Sequence, residues 1–161
     1  MRAAYTLVEE AALDRLVEEQ SGALVAALEE LEAAPRSTFY LDKMWDGLHF
    51  LLTGVSAETP IDEDPLSEAV VGVHVFDADD YVGCTELDEL PRIVAALEAV
   101  RLDELLRVAD FSTFANAKLY PNIWSDDPAV LRGELAAAFA GLVDVHRRAV
   151  SEGRHLVVSI L

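Results

Sequence analysis

The stretch from residue 41 to residue 54 limits the possible folds of this chain more than any other. Leu41, Met44, Trp45, Leu48, Phe50, Leu51 and Leu52 spread around nearly every side of a helix. A surface helix keeps one polar face, whereas one that is apolar almost all round is buried on several sides. This segment is therefore predicted to be a helix at the centre of the fold. Asp42 stands near its start as a candidate cap, and Gly54 stands where a left-handed C-terminal cap belongs. Such a helix needs several partners, and the rest of the chain must supply them.

Most of those partners read as helices. Thr6 followed three residues later by Glu9 has the spacing of a capping box, so a first helix is predicted to open at Thr6. Val8, Ala12, Leu13, Leu16 and Val17 form its apolar stripe, with Glu9, Glu10, Asp14, Glu18 and Glu19 turned to water. Ser21 and Gly22 interrupt the pattern. A second helix over residues 23–33 turns Leu24, Leu28 and Leu31 inward and is stopped by Pro35. Further on, Asp88 is predicted to cap a helix in which Leu90, Ile93, Val94, Leu97 and Val100 keep helical spacing, with Pro91 tolerated in the first turn. Shorter helical pieces are predicted over residues 102–108 and 111–119. Asp127 and Pro128 restart the pattern, and the last helix carries Leu131, Leu135, Phe139, Leu142 and His146 on one line to Gly153.

The strands are short. Residues 70–76 are β-branched and admit two readings, a strand or a helical turn over residues 66–71. Residues 55–65 read as a surface loop and residues 77–80 as a solvated turn. Residues 82–87 suit a short strand, and residues 155–161 a C-terminal strand. The expected class is α+β: one helix-rich domain over residues 1–161 with a small sheet of short strands.

Charge narrows the function. Thirty acidic residues face 12 lysines and arginines, a formal net charge of −18. Nucleic acid is excluded as a partner, because a basic footprint supplies most of that affinity, and anionic membrane surfaces are excluded likewise. A basic protein partner suits the balance, since opposite charge speeds capture. No run reaches the roughly 18–20 apolar residues of a membrane span. Met1 to Tyr5 runs into Glu9 and Glu10 without the apolar region of a signal peptide, and Cys84 is the single cysteine. A reducing, cytoplasmic setting is expected.

Three segments carry a resemblance. Leu41-Asp42-Lys43-Met44-Trp45-Asp46-Gly47-Leu48-His49-Phe50-Leu51-Leu52-Thr53-Gly54 is similar to the signature LDKxWxxLHFLLTG of the YfbM-like family of uncharacterised bacterial proteins. Tyr120-Pro121-Asn122-Ile123-Trp124 is close to that family's YPxIW, and the chain shares its ending of long helix, glycine and apolar strand. The family often begins with a strand-like stretch, where this chain has the shorter Met1-Arg2-Ala3-Ala4. The resemblance implies a bacterial α+β domain and brings no activity with it.

The chemistry worth weighing lies on the signature helix. Asp42, Trp45, Asp46, His49 and Thr53 recur at helical spacing, so they share one side. Were the loop bearing Tyr120 and Trp124 to pack over that side, a cleft would hold an imidazole, carboxylates and aromatic walls. The candidate ligand-binding set is therefore Asp42, Trp45, His49, Tyr120 and Trp124. The competing reading makes Trp45 and His49 core residues, Asp42 a cap and the loop a hydrophobic plug. His146 lies on the apolar line of the last helix, which could bring it to the same core as His49; the competing reading is a histidine favoured by the dipole near its helix C-terminus. No catalytic residue, metal set or cofactor motif is found: no histidine pair has zinc spacing, residues 77–80 lack the calcium-loop pattern, and Ser56, Ser67 and Ser112 sit outside nucleophile elbows. A non-catalytic acidic interaction protein, such as an immunity protein or antitoxin, is the leading expectation. A small-molecule site or enzyme around His49 is the alternative.

Overall fold

The computed structural model describes residues 1–161, apart from the side chain of Ser21. Five strands form one sheet in the order β2-β1-β5-β4-β3, with β1 at Ala3–Val8, β2 at Thr38–Asp42, β3 at His74–Val75, β4 at Tyr81–Thr85 and β5 at His155–Ile160. Every pairing is antiparallel. The α+β class and the C-terminal strand stand as predicted, and β5 lies in the middle of the sheet.

The first strand corrects the predicted start of the first helix. Residues 3–8 are all buried, since both faces of the sheet are covered. Ala3, Tyr5 and Leu7 enter the main core, while Val8 points into a smaller cluster on the other face. Thr6 meets Thr38 hydroxyl to hydroxyl at 3.0 Å instead of capping a helix. The helix α1 begins later, at Glu10–Glu18, and the side chain of Glu9 makes no cap bond. A strand buried on both sides loses the apolar–polar alternation that would reveal it.

With α2, Ser21–Glu32, α1 covers one face of the sheet, where Leu13, Leu16, Leu24 and Leu28 meet Val8, Val82, Cys84 and Val157. The other helices build the main core on the opposite face: α3 (Trp45–Thr53), α4 (Pro65–Val71), α5 (Leu90–Ala99), α6 (Leu102–Val108), α7 (Phe111–Asn116) and α8 (Pro128–Glu152). Asp127 caps α8 by accepting from the Ala129 N–H at 2.9 Å. No described helix is long and apolar enough to cross a membrane.

Several boundaries differ from the expectation. The signature segment is part strand and part helix, because Leu41 and Asp42 finish β2. Asp42 therefore caps nothing and holds a left-handed φ of 56° beside the bulge where β1 and β2 change register. Gly54 does end α3 in the left-handed region, at φ 83°. Of the two readings for residues 66–76, the helical one holds: α4 takes residues 65–71 and leaves β3 two residues long. Asp88 does not cap α5, since Glu89 intervenes, and α7 stops at Asn116.

Candidate functional site

The signature helix lies deep, and its two titratable side chains are bonded inside the protein, while the buried Trp45 Nε1–H meets no partner among the described residues. His49 has no solvent exposure. Its Nδ1 lies 2.8 Å from the Val55 carbonyl oxygen, which only accepts, so Nδ1 carries the proton. Nε2 is then an acceptor, and the Ser67 hydroxyl donates to it at 2.7 Å. Ser67 in turn accepts from the Ile61 N–H at 2.9 Å. One imidazole thus ties α3 to α4 and to the loop between them. Burial lowers the His49 pKa, with the Val55 carbonyl and the Asp46 and Asp64 carboxylates opposing it less strongly.

Asp46 makes a second tie. It is 2% exposed and accepts from the Ser56 hydroxyl at 2.8 Å, the Ala57 N–H at 2.9 Å and the Tyr120 N–H at 2.8 Å. Three donors stabilise a buried carboxylate that would otherwise be costly. The last of them anchors the loop after α7, in which the Tyr120–Pro121 peptide is cis.

That loop packs over α3, as the cleft reading required, but it closes the space. Tyr120 stacks on Trp45 with ring centroids 5.7 Å apart. Trp124 lies so close to Gly47 that a Cβ there would come within 2.0 Å of its ring, and its Nε1–H donates to the Leu119 carbonyl at 3.1 Å. Phe111 and Phe114 complete an aromatic layer against Trp124.

The five candidate ligand-binding residues therefore separate. Trp45, His49 and Trp124 are core residues, at 4%, 0% and 3% exposure. Asp42 and Tyr120 reach the surface together, lining a hollow of about 540 Å³ with Arg2, Glu32, Lys43 and Ser159. The structure brings these two together at the surface and keeps His49 out of the hollow. Ser67 and Ser56, the partners that define the environments of His49 and Asp46, were not singled out with them. They lie 18 and 10 positions away, beyond any helical spacing.

His146 takes the core position that its place on the apolar line allowed, and not the dipole-favoured one. Its ring is buried in the core against Tyr5, and Nδ1 donates to the Leu142 carbonyl at 2.8 Å. Burial pushes its pKa down to about 4, opposite to what a helix dipole would do. His155 accepts the Leu87 N–H on Nδ1 and lies 2.8 Å from Glu10 through Nε2. The Cys84 thiol is buried and pushed up to about 12 by that burial, which makes it a poor nucleophile at neutral pH. Among the described residues, no three His, Cys, Asp or Glu side chains converge as a metal-binding set.

The comparisons with known proteins agree on this architecture. The family model described as a domain of unknown function (DUF1877) matches residues 1–159. Protein YfbM of Escherichia coli K12 is 33% identical over 127 residues, covering 75% of each chain. The crystal structure of YfbM, described as a protein of unknown function from Escherichia coli, superposes with a TM-score of 0.85 at 26% identity, with both chains fully covered. This chain belongs to the YfbM-like family of domains of unknown function.

Proposed function

We propose that this protein is a non-catalytic interaction protein whose partner presents a basic surface. The observation that carries the reading is the excess of carboxylates, 30 against 12 basic side chains. The internal commitments of His49 and Asp46 support it, because they leave both titratable side chains of the signature helix bonded within the fold. An immunity protein or antitoxin that covers a basic nuclease has this charge relationship with its target. A cytoplasmic site of action suits the single buried cysteine.

The test is binding to a panel of purified basic proteins, basic nucleases among them, at low and high ionic strength. Saturable binding that weakens as salt rises is the expected result. Salt-independent binding, or no binding to any member at low salt, overturns the proposal. A second reading, small-molecule binding, draws on the surface hollow shared by Asp42 and Tyr120. A ligand screen by thermal shift tests it, since a ligand held there raises stability in the parent and not in an Asp42→Ala, Tyr120→Phe variant.

A further inference from the structure

Two stretches of the chain carry carboxylates with little basic compensation: residues 58–89, with eleven and no lysine or arginine, and residues 9–32, where the excess borders a cleft. Residues 9–32, which contain α1 and α2, carry eight carboxylates and one basic residue, Arg15. Outside residues 9–32, four carboxylates are paired with arginines: Glu68 with Arg92, Glu98 with Arg147, Glu104 with Arg101, and Glu152 with Arg148. On α1 and α2 no described cation pairs with Glu18, Glu19, Glu29 or Glu30, all of which are exposed. Arg15 folds back onto its own helix, donating from Nε to the Ala11 carbonyl at 3.3 Å.

Between the two helices runs a cleft of about 350 Å³. Ala12 and Leu16 supply its floor from α1, and Ala27 and Leu31 from α2, each pair at the four-residue spacing that aligns side chains on one helix face. Alanine at 12 and 27 is what keeps the two helices from filling the space between them. Glu19, Glu30 and Arg15 complete its lining, and Arg15 is its one cation. The volume is at the small end for ligand clefts, so it suits a few side chains and not a folded body. An apolar seam edged by carboxylates is the complement of an amphipathic helix whose apolar edge is flanked by lysines and arginines.

We infer that the α1–α2 cleft is the docking site for a basic amphipathic helix of a protein partner. The inference rests on the basic-partner reading above and adds where the partner sits and in what form. The apolar edge of the incoming helix fills the seam over Ala12 and Ala27. Its cations meet Glu19 and Glu30 at the rim, with Glu18 and Glu29 contributing at longer range.

Fluorescence anisotropy with a synthetic leucine–lysine helical peptide tests this, beside a scrambled peptide of the same composition. The expected result is salt-sensitive, saturable binding, tighter for the amphipathic peptide than for the scrambled one. A Glu19→Lys, Glu30→Lys variant should bind at least about tenfold more weakly. Ala27→Phe, which fills the cleft and leaves the charge unchanged, should weaken binding by a similar factor. Asp126→Lys with Asp144→Lys makes the same charge change on the far side of the sheet and should alter binding by less than about threefold. Circular dichroism checks that each variant is folded, and the substituted positions are exposed or half-buried.

The cleft is overturned, with the basic-partner reading intact, if the far-side variant weakens binding as much as the rim variant does. The same holds if Ala27→Phe changes nothing, or if both peptides bind alike. Failure of the protein to bind either peptide or any basic protein at low salt overturns both.

Discussion

His146 has no surplus of partners. Its Nδ1–H is satisfied by the Leu142 carbonyl, but its Nε2 meets no partner among the described residues, in a place water does not reach. A proton on Nε2 would leave a charge buried beside the Tyr5 ring, which is why the folded pKa falls to about 4. Above the unfolded pKa of about 6.5 the ring is neutral in both states, and its contribution to stability is fully present. As pH falls from about 6.5 towards 4, the unfolded chain takes up a proton that the folded chain refuses. Stability then drops by up to about 1.4 kcal/mol per pH unit. His49, lowered by burial as well, acts in the same direction. Urea midpoints at pH 7.5 and pH 5 should therefore differ, and His146→Phe should remove part of the difference. Variant and parent share every other titrating group, so the gap between them isolates the histidine. An identical pH response in the two proteins would contradict the account.

At the scale of elements, two glycines in helices make opposite predictions. Gly47 lies on α3 where a Cβ would meet the Trp124 ring at 2.0 Å, and that ring is held in the aromatic layer by Phe111 and Phe114. Alanine gains about 1 kcal/mol in helix propensity, but overpacking of this kind costs about 1–3 kcal/mol, so Gly47→Ala should lower the melting temperature. Gly133, exposed on α8, has nothing within 4 Å of its would-be Cβ, and Gly133→Ala should raise it. Thermal unfolding of the two variants decides both, and a stabilised Gly47→Ala would mean that α3 and the loop are not in contact as described. The same contact marks the limit of reading the sequence. The apolar positions of α5 and α8 and the Asp127–Pro128 start announce themselves locally, and those elements were legible. By contrast β1 is buried on both faces and shows no alternation, while Thr6 and Glu9 happen to have capping-box spacing. The signature segment was legible as central, yet its first two residues belong to β2, whose Asp42 pairs with Ala3 of β1 far away in the sequence. Likewise His49 could be singled out, but its environment is set by Ser67 and Val55, whose positions depend on how the loop folds back.

For the molecule as a whole, a net charge of −18 on a chain of 161 residues is a self-repulsion that folding concentrates. Exposed charges interact over about 10 Å at 0.1 M salt and much farther in dilute buffer. Adding sodium chloride to a dialysed sample should therefore raise the melting temperature, most steeply at the low end of the series. The Glu19→Lys, Glu30→Lys variant should show a shallower rise than the parent, because each change replaces a negative charge with a positive one and lessens the repulsion. A parent that melts at the same temperature in dilute buffer and in moderate salt would mean that the repulsion is already offset within the fold.

The position of β5 carries a further consequence, for biosynthesis. β1 pairs with β5 along all six of its residues, and β4 pairs with β5 on its other edge, so the middle of the sheet is made by the last element in chain order. While the ribosome is still translating α8, β1 and β4 each have an open edge, and the helices of either layer have no finished surface to close on. Contacts that join opposite ends of a chain are slow to form, and unpaired strands aggregate in the interval. Until β5 is available these edges stay unpaired, and the net charge of −18 opposes association of one unfinished chain with another.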